Sequence, residues 1–311
     1  HRDLHSFPTR RSSDLIDLSA IALGGSAFVF GVIVHLLRIQ RFEVVGRLAI
    51  LLGFLGYSTA GMVLLFDLGK PFRFWHPIVY WQPHSLLWEI TMCVVLYLSV
   101  LMSELMPIVL EHPAFSKHPW LTRFPILGKL MGPVHKLSHW LHGWSPVLAV
   151  IGLSLSLLHQ ASLGATYSVL SGRGLWFNQS APVQFVLSAV AGGVALLFFL
   201  SIVVFRIMRP GQVKDDVFYD LARISGAATL LLTYLRVWDW AVTNYYSFDR
   251  EVALQTQLLD TIAPYSLTFW LGQALLPALA GALLLAARRI RSFRILLRSE
   301  ERRVGKECRS R

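Results

Sequence analysis

Seven separated apolar blocks, each about as long as a bilayer demands, constrain this chain more than any single residue does. They cover about Ile16–Leu37, Arg47–Phe66, Ser85–Leu110, Gly143–Leu170, Val183–Met208, Phe218–Ala241 and Tyr265–Ala287. A helix needs roughly 20 predominantly apolar residues to cross the hydrocarbon core, and in lipid every backbone group must find its partner within the segment. The pattern predicts an all-α, polytopic transmembrane helix bundle. Composition agrees, because 54% hydrophobic and 15% charged residues make the chain too apolar for an ordinary soluble domain.

The formal charge of +11 raises the question of nucleic acid. The basic residues, however, fall between apolar blocks and not along one face, so membrane orientation accounts for them better. Connections after the odd-numbered helices carry Arg38, Arg41 and Arg47, then Lys117, Arg123, Lys129 and Lys136, then Arg206, Arg209, Lys214 and Arg223, and finally Arg288, Arg289, Arg291 and Arg294. Those after the even-numbered helices carry Lys70, Arg73, Arg173 and Arg250. This asymmetry predicts that the first group is cytoplasmic and the second, including the loop Lys70–His84, lies outside.

Both ends read as foreign. Residues 1–15 and 295–311 resemble translated adapter sequence and are set aside as non-native tails, leaving 16–294 as the integral membrane domain. A helix before Ile16 is expected to be missing. Cys93 and Cys308 are too few for a four-thiolate iron–sulfur site or a c-type haem attachment, so a covalent redox centre is expected on a partner.

Polar residues inside the blocks are the functional signal, since an unpartnered polar group in hydrocarbon costs several kcal/mol. The fourth block contains Leu158-His159-Gln160-Ala161-Ser162-Leu163-Gly164. Given the orientation, Tyr57, Glu89, His159, Gln160, Arg236 and Asp239 all fall in the outer half of the membrane, where chance would scatter them. Glu89, about one turn inside, is a carboxyl able to hold or release a proton, and His159 can donate to or accept from an oxygen. Each also has a bland reading: a carboxyl satisfied by its neighbours, a helix–helix hydrogen bond of His159 with Ser162 or Gln160, and an ion pair of Arg236 with Asp239 on one helix face.

The outer loop from Asp67 through Lys70, Arg73, Trp75 and His76 mixes basic and aromatic residues. It reads either as an interfacial aromatic belt or as a lid and docking surface. In the connection from Glu111 to His142, His135 and His139 stand four apart, but no cysteine or carboxylate completes a metal set, and a solvated segment on an anionic leaflet explains it. Haem b would need facing histidines; His35 and His142 share a depth, while His159 lacks an intramembrane partner.

The block Leu65-Phe66-Asp67-Leu68-Gly69-Lys70-Pro71-Phe72-Arg73-Phe74-Trp75-His76, followed by Ser85-Leu86-Leu87-Trp88-Glu89 and then Leu158 to Gly164, resembles the NrfD (polysulfide reductase membrane subunit) family. The likeness is greatest to HybB-type hydrogenase membrane subunits, and Gly24-Gly25-Ser26-Ala27-Phe28 fits it too. The resemblance implies a haem-free, quinone-reactive subunit of a multi-subunit respiratory oxidoreductase in the bacterial inner membrane, active only within its complex. Electrons would pass between menaquinone or ubiquinone and a ferredoxin-like iron–sulfur subunit docked outside, itself joined to a hydrogenase, molybdenum enzyme or sulfur-compound reductase. It further implies a quinone pocket formed by Tyr57, His159, Gln160, Ser162, Arg236 and Asp239, with proton transfer through Glu89 and His159, no intrinsic metal and no nucleic acid. Docking would involve Asp67, Lys70, Arg73, Trp75 and His76. Family members commonly have more helices than these seven, and the connection between the third and fourth is expanded here. A di-haem cytochrome anchor, a transporter and a purely structural anchor are the competing readings; the halves of the chain show no repeat of the kind a transporter predicts.

Overall fold

A computed structural model describes residues 29–30, 32–36, 39–67, 71–110, 133, 136–169, 178–209, 211–246 and 265–289 of the chain. Most of the first expected helix, the side chains of His35 and Asp67, Lys70, the histidines His112, His118 and His135, and both terminal tails lie outside them. Among the described residues every regular element is helical. The main helices are α1 (Glu43–Asp67), α2 (Leu86–Leu110), α3 (Ser145–Ser168), α4 (Ala181–Ser201, continuing with π-type bonding over Ile202–Met208), α5 (Asp215–Tyr246) and α6 (Ser266–Arg289, with a π-helical stretch at Trp270–Leu275).

Five stretches among these residues are long and apolar enough to cross a membrane: Gln40–Leu65, Trp88–Leu110, Ser145–Ser168, Ala181–Met208 and Ser266–Arg289. At 1.5 Å per residue, even the shortest reaches about 34 Å, enough for a hydrocarbon core of roughly 30 Å. The chain is an integral membrane protein. The sixth expected span forms a helix, but α5 is 32 residues long and carries Asp215, Asp216, Asp220, Arg223, Arg236 and Asp239, which leave it outside the strongly apolar set.

Helix ends follow local chemistry. α1 starts a turn before its apolar block because Glu43 and Arg47 close an i,i+4 ion pair at 2.7 Å. Proline stands in the first turn of α3, where its missing N–H leaves no bond unmade. Gly211, at φ 94°, makes the turn ahead of α5, whose first residues Asp215 and Asp216 suit the positive end of a helix dipole.

The chain divides into two compact units, His1–Ser201 and Ile202–Arg311. In the first, α3 is the hub and packs against α2, α4 and the helical turn Val32–Leu36, while α1 lies on α2 and α4. Lipid offers no hydrophobic gain for pressing helices together, so close approach depends on small residues. Gly164 supplies one: a Cβ there would sit 2.6 Å from Cα of Pro182 and 2.8 Å from the carbonyl oxygen of Ala181. Tyr57, Ala60, Ile90, Tyr97, Leu101 and Leu163 form the buried core, whereas Leu55, Met62, Leu96, Met102 and Leu158 point outward, as lipid-facing residues do. In the second unit α5 packs on α6.

Candidate functional site

Helical spacing builds the polar patch. On α3, Ser156, His159, Gln160 and Leu163 stand at i, i+3, i+4 and i+7 and are all buried, so they share the face turned to α1 and α2. On α2, Glu89, Cys93, Tyr97 and Leu101 recur at every fourth residue and point back at them. Tyr57 completes the group from α1. Of the sequence-predicted residues, Tyr57, His159 and Gln160 meet here, with Glu89 and Ser162 adjoining.

The contacts are tight. The rings of Tyr57 and Tyr97 lie 4.4 Å apart, edge to face, and the Tyr57 and His159 rings 5.7 Å apart. Tyr57 and His159 are fully buried, and Tyr97 and Gln160 nearly so. Ser156 and Gln160 flank the Tyr57 hydroxyl. One turn further along α3, the Ser162 hydroxyl donates to Glu89 Oε1 at 2.7 Å, and thereby joins α3 to α2.

Intramembrane polar groups in this protein fall into two kinds. Thr59, Ser99, Ser103, Ser154 and Thr166 donate to the carbonyl four residues back, at 2.7–3.0 Å, and need nothing from their surroundings. The Tyr57, Tyr97 and Ser156 hydroxyls and both nitrogens of His159 are buried and make no hydrogen bond of good geometry among the described residues, although Ser156 stands near both tyrosine hydroxyls. Native interiors rarely leave such groups unmatched, because each costs about 1–3 kcal/mol. Four neighbouring side chains thus present unmatched donors and acceptors in one place.

Other expected residues belong to other elements. Arg236 and Asp239 are half-buried on α5 in the second unit. In the loop between α1 and α2, Arg73 and Trp75 are exposed, and His76 lies between the rings of Trp75 at 4.2 Å and Tyr80 at 5.3 Å. The loop contains a 3-10 turn at Pro71–Arg73 and a helical turn at His76–Val79, fastened to α2 by Trp88, whose indole N–H donates to the Pro77 carbonyl at 2.7 Å. Phe72 and Trp81 are 90% and 69% exposed. His139 and His142 are exposed, and among the described residues no group of three or more His, Cys, Asp or Glu side chains converges.

Sequence reasoning missed Tyr97, Ser156 and Glu104. Tyr97 and Glu104 continue the stripe from Glu89 at heptad-like spacing, which was the available signal; Glu104 Oε1 is buried without a partner among the described residues.

The profile described as Polysulphide reductase, NrfD, matches residues 18–298. A menaquinone reductase integral membrane subunit from Nitratidesulfovibrio vulgaris is 33% identical over 241 residues, covering 75% of this chain and 53% of that protein. A selenate reductase subunit from Mesobacillus selenatarsenatis is 28% identical over 195 residues, covering 58% of this chain and 45% of that protein. The chain therefore spans about half the length of the curated relatives it matches. The profile runs through every helix that contributes to the buried polar cluster, and the chain belongs to the polysulphide reductase NrfD family.

Proposed function

We propose that this protein is the quinone-reactive membrane subunit of a respiratory oxidoreductase complex, with its quinone headgroup held at the α1–α2–α3 cluster. The observation that carries this reading is the set of unmatched polar atoms on Tyr57, Tyr97, Ser156 and His159. A quinone fits them: it has two carbonyl oxygens that accept hydrogen bonds, an apolar ring that suits aromatic walls, and an isoprenoid tail at home in lipid. The relative named as a menaquinone reductase subunit supports the class of substrate, and the one named as a selenate reductase subunit supports membership of a redox complex.

Quinone reduction consumes two electrons and two protons, and oxidation returns them. Tyr57 and His159 would position and polarise the carbonyl oxygens. Glu89, held by the Ser162 hydroxyl, and His159 would exchange the protons; Gln160 would orient the ring from its place beside Tyr57. Arg236 and Asp239 would serve as supporting polar groups. Electrons would pass to or from an iron–sulfur subunit docked on the loop of Arg73, Trp75 and His76, whose exposed Phe72 and Trp81 suit a partner surface better than water. That loop faces the periplasm and the Lys/Arg-rich connections the cytoplasm of an inner-membrane protein, by the distribution of basic residues.

The test is quinone binding to the detergent-purified protein, by quenching of tryptophan fluorescence with a naphthoquinone analogue, in the parent, His159→Ala and Glu89→Gln. Saturable binding, weakened by His159→Ala, with no Soret band in the absorption spectrum is expected. A Soret band, or the same affinity in all three proteins, would overturn the reading.

A further inference from the structure

The second unit holds a groove for which quinone chemistry has no use. α5 and α6 run antiparallel: Trp240 meets Trp270 edge to face at 4.8 Å, and Gly226 meets Gly281 further along. A Cβ on Gly226 would lie 2.7 Å from the Gly281 carbonyl oxygen, and one on Gly281 3.0 Å from that of Gly226, so two glycines let the backbones touch. Around this crossing, and towards the start of α5 and the end of α6, the two helices border an open groove of about 740 Å³. Leu230, Ala282, Leu285 and Ala286 line it together with Arg223, Arg288 and Arg289.

Three guanidinium groups together repel one another unless an anion sits among them. Among the described residues no ion pair engages any of the three, and Asp220, one turn before Arg223, has an interaction of its own. The span Ser266–Arg289 ends at this point, so the arginines stand where hydrocarbon gives way to headgroups. Below them α6 presents Leu275, Leu276, Leu279 and Leu283, all exposed.

We propose that this groove is a binding site for an anionic phospholipid. Arg223, Arg288 and Arg289 hold its phosphate, and an acyl chain lies along Leu230, Ala282 and Leu285. Guanidinium forks match phosphate oxygens in geometry as well as charge, and basic pockets between membrane helices are suited to anionic headgroups. The apolar wall and the arginines together select this occupant. Free phosphate would leave the wall bare, a zwitterionic lipid would leave the arginines under-neutralised, and an apolar helix would bury three cations without a counter-charge.

The experiment uses the full-length protein, purified in a neutral detergent and stripped of lipid. Native mass spectrometry follows binding of cardiolipin, phosphatidylglycerol and phosphatidylcholine, with inorganic phosphate as competitor. The anionic lipids should bind about tenfold more tightly than phosphatidylcholine, and Arg288→Gln/Arg289→Gln should remove about that factor. Ala282→Phe, which fills the wall and spares the arginines, should weaken lipid binding as well, and naphthoquinone affinity should stay at the parent value in both variants. Equal binding of anionic and zwitterionic lipid, unchanged binding in both variants, or a parent that takes up no lipid because another segment fills the groove would overturn the proposal. Displacement of lipid by millimolar phosphate would reassign the site to a free oxyanion.

Discussion

Tyr57→Phe separates a binding role from a structural one better than any other single change. The Tyr57 ring is fully buried, packs at 4.4 Å on Tyr97 and 5.7 Å from His159, and all of that survives the substitution. What disappears is a hydroxyl that makes no hydrogen bond of good geometry among the described residues. Such a group costs about 1–3 kcal/mol in the folded state, so its removal should leave stability unchanged or raise it by about 1 kcal/mol, a melting shift of about +2 to +4 °C. If the same hydroxyl donates to a quinone oxygen, its loss forfeits about 1–1.5 kcal/mol of binding, or about a tenfold rise in Kd. The assay is a thermal melt followed by tryptophan emission, without and with the naphthoquinone analogue, alongside the quenching titration. Opposite movement of stability and affinity is the expected signature, and general damage to the bundle cannot produce it. A melt lowered by several degrees would refute the reasoning, because it would mean that the hydroxyl holds the helices together. An unchanged Kd would remove Tyr57 from the quinone site.

The other predictions concern the supports of the site. Ser162→Ala breaks the 2.7 Å hydrogen bond to Glu89 and should lower stability by about 0.5–1.5 kcal/mol, the range for one intramolecular hydrogen bond; the loss is read as an earlier midpoint in denaturant titration, and Ser162→Thr should restore most of it. Gly164→Ala puts a methyl 2.6 Å from the Pro182 backbone and should destabilise by about 1–3 kcal/mol, as overpacking does. Gly61→Ala, where nothing lies within 4 Å, should instead stabilise by about 0.5–1 kcal/mol through helix propensity, and the pair is compared by thermal melting. Trp88→Phe removes the bond to the Pro77 carbonyl and should speed limited proteolysis between residues 71 and 84 severalfold, with quinone binding retained.

The apolar blocks foretold the helices because the bilayer leaves a backbone few other choices, and the polar exceptions inside them foretold Tyr57, Glu89, His159, Gln160 and Ser162. Less was legible where two readings of one residue type compete. Tyr97 sits in an apolar run, where a tyrosine passes for a belt aromatic, and Ser156 passes for one of the serines that bond their own helix; only the packing of α3 against α2 reveals that neither does so. Helix ends drifted for a related reason: the Glu43–Arg47 pair lies in the first turn of α1, a charged turn with Asp215 and Asp216 extends α5 ahead of Phe218, and the uncharged residues 242–246 carry it past Ala241. Depth follows from helical rise and orientation, but neighbourhood within the plane of the membrane depends on packing order, which residue spacing does not encode.

The same distinction decides what the buried polar cluster is for. Membrane helices are held together by close backbone approach and by hydrogen bonds between helices, and this protein uses both where they serve that end: Gly164 against Pro182, Ser162 to Glu89. If Tyr57, Tyr97, Ser156 and His159 were further glue, their polar atoms would be joined in well-formed hydrogen bonds, since the Tyr57 ring already lies against those of Tyr97 and His159. They are not so joined. A bundle able to satisfy polar groups by back-bonding at Thr59, Ser99, Ser103 and Ser154 leaves four side chains of this crossing unmatched, besides Glu104, Ser138, Ser201 and Ser225 among the described residues. Local rules fail most often at functional sites, where a fold carries a destabilising feature that binding relieves. On that argument the stability forgone at the α1–α2–α3 crossing should return, as a raised melting point, when the quinone analogue binds.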